Sequence, residues 1–287
     1  MVTLPAEGRW SLRSVADDDV REVIEFLARE PLINVYLLSR LEEERTAAVT
    51  QMFVIRHQGE IVLVASLATN VVLAAPVTER RDRIESATAL LADRIVTRML
   101  PVRAIISPSH LVEPLWDRLR SRLDPPTVVR MNQPIYAIRR RLDFPDLHAA
   151  RYSRLADLDK LVPACAAMHK EEVGIDPLIR DAAGYRERVR ELIALERSII
   201  RMEEGEIGAK CEFSAVTNGG VQLMGVWTHP RFRRKGLARE TLREVCGHLF
   251  RKGKSVTLFV NDFNLPAIAL YESLGFTRIG MNRALIW

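Results

Sequence analysis

The sequence predicts an α/β chain of the α+β type, built from two successive domains that are each a mixed, mostly antiparallel sheet flanked by helices. Three observations carry that expectation. At 287 residues the chain exceeds one ordinary domain. Helical and strand periodicities share each half instead of segregating into blocks. Val15-Ala16-Asp17-Asp18-Asp19 is loosely echoed by Leu155-Ala156-Asp157-Leu158-Asp159, each opening an amphipathic segment after a short strand, so the halves read as a distant internal repeat.

In the first half, Val20, Val23, Ile24 and Leu27 recur at helical spacing behind an acidic start, which predicts a helix pair over about 17–44. Pro31 to Leu38 is an unusually apolar helix-like run and is read as core. A hairpin follows, 52–57 and 60–67, turning at Gln58-Gly59. Then come a helix near 82–99, a strand at 103–107, a helix near 110–121 and two closing strands around 127–140. Asp143 to Ala150, with Pro145, reads as the linker, which sets the domains at 1–142 and 150–287.

The second half gives helices near 157–170 and 177–195 and strands near 197–203, 206–216 and 221–228. A helix at 236–252, a strand at 255–261, a helix at 265–274 and a last strand from Phe276 complete it. Glycine is unevenly spread: none lies between 60 and 173, and twelve of the fourteen lie from Gly174 onward. Close backbone approach to a ligand therefore belongs to the second half.

Composition narrows the class. With 48% apolar and 28% charged residues, a sizeable core can be buried and wholesale disorder is excluded. The net charge of +5 suits acidic partners, but the basic residues are interleaved with acids, so no nucleic acid partner is expected. No apolar run approaches the roughly 18 residues of a membrane span. Met1 to Trp10 has no charged segment leading into an apolar one, and a cytoplasmic location is expected. Cys165, Cys211 and Cys246 are far apart and not in metal-ligand spacing; they read as reduced and buried, and no metal is expected.

The informative stretch runs from Val221 to Phe276. A strand ending Val226-Trp227-Thr228 leads into His229-Pro230-Arg231-Phe232-Arg233-Arg234-Lys235-Gly236-Leu237-Ala238-Arg239, after which Leu237, Thr241, Leu242, Val245 and Leu249 mark a helix. A strand, a basic loop and a helix opening on glycine present several free amides and a positive dipole end to an anion. Gly236 lets a phosphate approach where a Cβ would stand in the way. A second block, Asn264-Leu265-Pro266-Ala267-Ile268-Ala269-Leu270-Tyr271-Glu272-Ser273-Leu274-Gly275-Phe276, is a helix that Asn264 can cap and Gly275 can end.

Arg233-x-x-Gly236-x-Ala238 resembles the pyrophosphate loop of the GNAT (GCN5-related N-acetyltransferase) superfamily, and Asn264, Ala267, Leu270, Tyr271, Gly275 and Phe276 match its N-x-x-A-x-x-L-Y-x-x-x-G-F pattern. Two motifs in the right order cover roughly residues 150–287; over the first half the resemblance is only architectural, to a degenerate tandem copy that lacks the loop. The resemblance implies a sheet splayed open between its fourth and fifth strands. It implies acetyl-CoA as acyl donor, with Val226, Trp227 and Thr228 along pantetheine, Arg233 to Arg239 around pyrophosphate, and Asn264, Ala267 and Tyr271 completing the site. Transfer of an acetyl or short acyl group to a primary amine, on a small molecule, a protein lysine or an N-terminus, is the activity it implies; the alternative is a non-catalytic acyl-CoA-binding module. Tyr271 is the expected acid toward the leaving thiolate. Glu212, on the third strand of this half, is the first choice of base, although sequence does not set which face of the strand it takes; His229 and water are the other choices.

Overall fold

The structure, a computed structural model, describes residues 10–43, 51–139, 141 and 143–287. The chain forms two compact units, and no single cut in the sequence divides them: the first takes the chain up to Tyr136 together with Phe259–Ile268 and Arg278–Trp287, the second Ala137–Leu258 and Ala269–Thr277.

The first unit opens with β1 (Trp10–Ser14), a 3-10 turn (Asp17–Asp19) and helices α1 (Val20–Leu27) and α2 (Val35–Glu43). It continues through β2 (Met52–His57), β3 (Glu60–Leu67), β4 (Asn70–Ala74), α3 (Arg81–Thr97), β5 (Ala104–Pro108), α4 (Ser109–Leu119) and most of β6 (Val128–Ile138). The last strand of the chain, β12 (Thr277–Ile286), also lies mostly here, and the strand order is β1-β2-β3-β4-β5-β12-β6. β1 to β4 are antiparallel neighbours, β5 is parallel to β4, and β12 runs antiparallel to β5 from Asn282 opposite Pro108 to Ile286 opposite Ala104. The hairpin turns at Gln58 and Gly59, both at positive φ (52° and 89°), as a two-residue turn between twisted strands requires. Alternate residues of one strand serve opposite faces. Ile55, Leu63 and Ile105 pack with Leu91, Ile95, Leu111 and Leu115 of α3 and α4, whereas Val54 and Val64 pack with Val23, Leu27, Leu37 and Leu41 of α1 and α2.

Two differences from the sequence reading appear in this unit. Asn70–Ala74 is a strand that the reading left out, and 127–140 holds one strand where two were expected. Pro134 within it lacks a donor, but its carbonyl accepts the Val260 amide at 3.2 Å, and the strand runs through it.

The second unit contains β7 (Ala150–Tyr152), a 3-10 turn (Leu155–Asp157), α5 (Leu158–Val173), α6 (Pro177–Ala194), β8 (Ser198–Glu203), β9 (Glu206–Val216), β10 (Gly220–Thr228), α7 (Leu237–Arg251) and β11 (Ser255–Phe259), followed by helix α8 (Leu265–Ser273), whose later residues belong here. Strand order is β7-β8-β9-β10-β11, antiparallel up to β10 and parallel from β10 to β11. That is the order and sense of β1 to β5. The repeat is real, but its register differs by two residues from the sequence overlay. Asp19 accepts the Ala16 amide at 2.9 Å and pairs with Arg13 through both carboxylate oxygens; Asp157 accepts the Arg154 amide at 2.7 Å and holds Arg151 at 2.7 and 2.8 Å. The aspartate that matters is the one that caps a 3-10 turn and grips an arginine six residues earlier, so Asp19 corresponds to Asp157. Residues 143–150 are held on α7: Glu244 accepts the amides of His148 and Ala150, both at 2.8 Å, and Gly247 leaves no room for a Cβ beside the Pro145 carbonyl.

Candidate functional site

β10 and β11 pair only at Gly220–Ser255, Val221–Val256 and Gln222–Thr257, yet β10 runs on to Thr228. Beyond Gln222 the two strands part. Backbone groups along a parted edge are available to an extended ligand. On its other flank β10 stays with β9, and Met224 opposite Glu212 is followed by Trp227 opposite Lys210, so Gly225 and Val226 together occupy the place of one residue. This is a β-bulge, and Gly225 takes the positive φ of 58° that it demands.

Past β10 the chain makes a 3-10 turn, Pro230–Phe232, in which His229 Nδ1 accepts the Arg231 amide at 3.2 Å. Phe232 is buried against Ala209 and Leu237 and anchors the loop. Arg234 and Gly236 then adopt φ of 60° and 81°, and α7 begins at Leu237. Gly236 is the N-cap and supplies no capping side chain, so the first amides of α7 keep their donors for a ligand. A Cβ on Gly236 would meet only Glu240 Oε1 at 3.8 Å, which leaves the approach to these amides open. Gly236, Leu237 and Ala238 thus form an open, uncapped helix start, the geometry that an anion site requires.

The basic side chains divide. Arg233 binds the Glu171 carboxylate at 2.7 and 2.8 Å and donates to the Thr228 carbonyl at 3.0 Å, stapling the loop to the end of α5 and occupying that carbonyl. Trp227 is buried and its indole donates to the same Glu171 at 3.3 Å. Arg239 holds Ser273 Oγ at 2.8 Å, Lys235 leans over the Phe232 ring and Arg234 is exposed. Asn264 Oδ1 accepts the Ala267 amide at 3.3 Å at the start of α8, and about two turns of that helix carry Tyr271 into a buried position with its ring 5.8 Å from that of Phe276. Burial, reinforced by Cys211 and Glu172, pushes the Tyr271 phenol well above its ordinary value, so it stays protonated.

Glu212 is not a solvated strand glutamate. It is 3% exposed, and its Oε1 receives Lys210 Nζ at 2.6 Å and Cys165 Sγ at 3.1 Å. Lys210 is 1% exposed and also donates to the Gly225 carbonyl at 3.0 Å and to Met168 Sδ at 3.3 Å. Burial opposes the charge on this ammonium, but Glu212, Cys165 and Cys211 together outweigh it and raise its affinity for its proton. Burial pushes the thiols of Cys165 and Cys211 up to about 12, which removes them as nucleophiles. The sequence reading missed Lys210 and Glu171, and it read Cys165 rightly as a reduced, buried thiol but not as a neighbour of Glu212. The i, i+2 spacing puts Lys210 and Glu212 on one face of β9, a signal that was present; Glu171 and Cys165 are brought in by α5 alone. Among the described residues, no group of three or more His, Cys, Asp or Glu is placed to hold a metal, and no helix is long and apolar enough to cross a membrane.

Residues 167–276 match the profile of the acetyltransferase (GNAT) family, and residues 50–161 match DUF4081, a domain of unknown function. A 101-residue segment is 29% identical to the N-alpha-acetyltransferase RimI of Mycobacterium tuberculosis, covering 31% of this chain and 63% of that protein. Solved structures share the fold over nearly the whole length. They include a GNAT acetyltransferase from Colwellia psychrerythraea (12% identity, TM-score 0.56, 97% and 100% of the two chains) and a GCN5-related N-acetyltransferase from Sphaerobacter thermophilus (15%, 0.57, 96% and 94%). A tandem GNAT protein from the clavulanic acid biosynthesis pathway is similar at 12% identity and a TM-score of 0.53, over 98% of each chain. Residues 167–276 are thus similar to the GNAT acetyltransferase family and residues 50–161 to the DUF4081 domain, and the chain has the fold of tandem GNAT structures.

Proposed function

We propose that this protein is an acyl-CoA-dependent N-acyltransferase that moves an acetyl or other short acyl group to a primary amine by direct attack within a ternary complex. The observation that carries the reading is the parting of β10 from β11 immediately before the open N-terminus of α7, which sets a backbone edge and an anion site in line. Acyl-CoA supplies a thioester carbonyl and a thiolate leaving group. The amides from Arg234 to Ala238 hold its pyrophosphate, and Val226 to Thr228 run along the pantetheine, with Asn264 and Ala267 fixing the start of the helix that carries Tyr271. Tyr271, protonated and buried, gives its proton to the departing sulfur. The amine must arrive neutral and lose one proton as the C–N bond forms. Glu212 is the candidate to receive it, through the Oε2 that lies beside Gly225, since Oε1 is engaged by Lys210 and Cys165. Similarity to an N-alpha-acetyltransferase puts α-amino groups of peptide N-termini first among acceptors.

The test is thiol release from acetyl-CoA across a panel of peptides with free N-termini, lysine peptides, polyamines and amino acids, with mass spectrometry of the acceptor. Stoichiometric acetylation of one class establishes the activity. Tight acetyl-CoA binding with no transfer to any amine would make the protein an acyl-CoA-binding module, and no binding of acetyl-CoA would overturn the reading altogether.

A further inference from the structure

We propose that Lys210 is a positioning residue for the acyl donor: its ammonium, seated beneath the β10 bulge, holds the Gly225 carbonyl and thereby fixes the direction of the Val226 amide beside the parted edge of the sheet. The proposal rests on the acyltransferase reading and adds to it a residue that no motif marks. A bulge leaves one residue outside the ladder, and its carbonyl must find another partner when buried. Here the partner is Lys210 Nζ at 3.0 Å. The remaining donors of the ammonium go to Glu212 at 2.6 Å and Met168 Sδ at 3.3 Å, so the group is pinned from three directions. In a trans peptide the carbonyl and the following N–H point opposite ways. Fixing the Gly225 carbonyl on Lys210 therefore fixes the plane of the 225–226 peptide, and with it the direction of the Val226 N–H, at the point where β10 bulges beside its parted edge.

The pair is also built to fit this backbone alone. A Cβ at Gly225 would lie 2.8 Å from Glu212 Oε2 and 3.1 Å from Lys210 Nζ, at a φ of 58° that side chains avoid. A buried ion pair is a costly way to fill space, and apolar residues of equal volume usually serve stability as well. Its connection to the bulge carbonyl gives it a task that such residues cannot perform.

The experiment compares two ligands on the full-length protein by calorimetry: acetyl-CoA, which reaches the bulge, and 3′-phospho-ADP, the nucleotide half of CoA, which reaches only the α7 loop. The double variant Lys210→Met, Glu212→Gln removes both charges at near-constant volume. We expect it to weaken acetyl-CoA by about tenfold or more while changing 3′-phospho-ADP by less than about twofold. Binding is the readout because it does not depend on Glu212 acting as a base. Gly225→Ala keeps both charges but presses on the pair, and the same split is expected; it decides alone if the double variant does not fold. Added to the double variant, Gly225→Ala should cost less acetyl-CoA affinity than it does in the wild type, since the two act on one device. Equal weakening of both ligands, or unchanged acetyl-CoA affinity in a folded variant, overturns the positioning role while leaving the acyltransferase reading intact. A wild type that binds neither ligand overturns both.

Discussion

Replacing Gly236 by Glu tests the anion site where the chain is most exposed to it. Gly236 sits at φ 81°, and a residue with a Cβ pays about 1–2 kcal/mol there. The new carboxylate stands at a helix N-terminus, which returns about 0.3–1 kcal/mol. It meets Glu240 at 3.8 Å from the Cβ, but that carboxylate is already paired with Arg201 at 2.7 Å. The net loss of stability is then about 1 kcal/mol, a fall in Tm of about 2–4 °C. Binding suffers far more. A carboxylate about 4 Å from one phosphate charge, at an effective dielectric near 20, costs about 4 kcal/mol. That is close to a thousandfold in affinity. Gly236→Ala is the control for backbone strain, and its acetyl-CoA affinity should fall by no more than about tenfold, within the strain of about 1–2 kcal/mol. Calorimetric titration with acetyl-CoA and a thermal melt read both quantities. A folded Gly236→Glu protein whose affinity lies within about threefold of wild type, less than about 1 kcal/mol, would refute the assignment of the pyrophosphate to this loop.

Three other outcomes follow from the geometry. Tyr271→Phe should lower kcat by about a hundredfold with little change in the KM for acetyl-CoA, since proton donation is felt only in the transition state; because burial keeps the phenol above its ordinary value of 10, activity should show no alkaline loss from this group below that pH. Native protein should leave all three thiols unreacted with Ellman's reagent and release them on unfolding, because Cys165, Cys211 and Cys246 are buried and burial raises each of them. The hydrogen bond from Arg151 holds Asp157 below its ordinary 3.8 in the folded chain, so it stabilises the fold above pH 3.8 and that contribution fades as pH falls through the lower folded value. Asp157→Asn should therefore be less stable than wild type in melts at neutral pH, with the gap closing below pH 3.8; a gap independent of pH would show that the carboxylate charge is not what Arg151 reads.

Local signals made most elements legible. The Gln58-Gly59 turn fixed both strands of its hairpin, and the apolar stripe from Leu237 to Leu249 fixed α7. Asn70–Ala74 escaped because five residues with no alternation carry no period, and its identity as a strand comes from pairing with β3 and β5. The single strand through Pro134 was not legible because the acceptor role of that residue's carbonyl toward Val260 is a tertiary fact. The basic loop that leads into α7 was readable as a motif because it is contiguous. The spacing of Lys210 and Glu212 was visible too, but its meaning was not, since that depends on the face of β9 that meets α5 and on a bulge in another strand. The same holds for Arg233, whose guanidinium reads as phosphate-binding in sequence but is committed to Glu171 and to the end of β10.

The two units repeat one strand order, and the difference between them explains why only one is expected to bind the acyl donor. In each, four antiparallel strands are followed by a helical crossover to a parallel fifth, which is where a sheet of this order can part. In the second unit β10 extends six residues beyond its last pair with β11 and delivers the chain to Gly236. In the first, β4 pairs with β5 at Asn70–Ala104 and Val71–Ile105 and ends only three residues later. The Leu73 amide, which a parted edge would offer to a ligand, donates instead to Ser107 Oγ at 2.8 Å, and Ser107 is 2% exposed. A side chain thus fills the role that pantetheine would play, and the gap is stitched from within. The helix that follows begins behind Arg80 at φ −62°, with no glycine between 60 and 173 to bring backbone amides against a phosphate. Titration of acetyl-CoA should accordingly saturate at one molecule per chain. A second site of comparable affinity would mean that the Leu73–Ser107 bond opens readily, and amide exchange at Leu73 as fast as at an unprotected position would locate it.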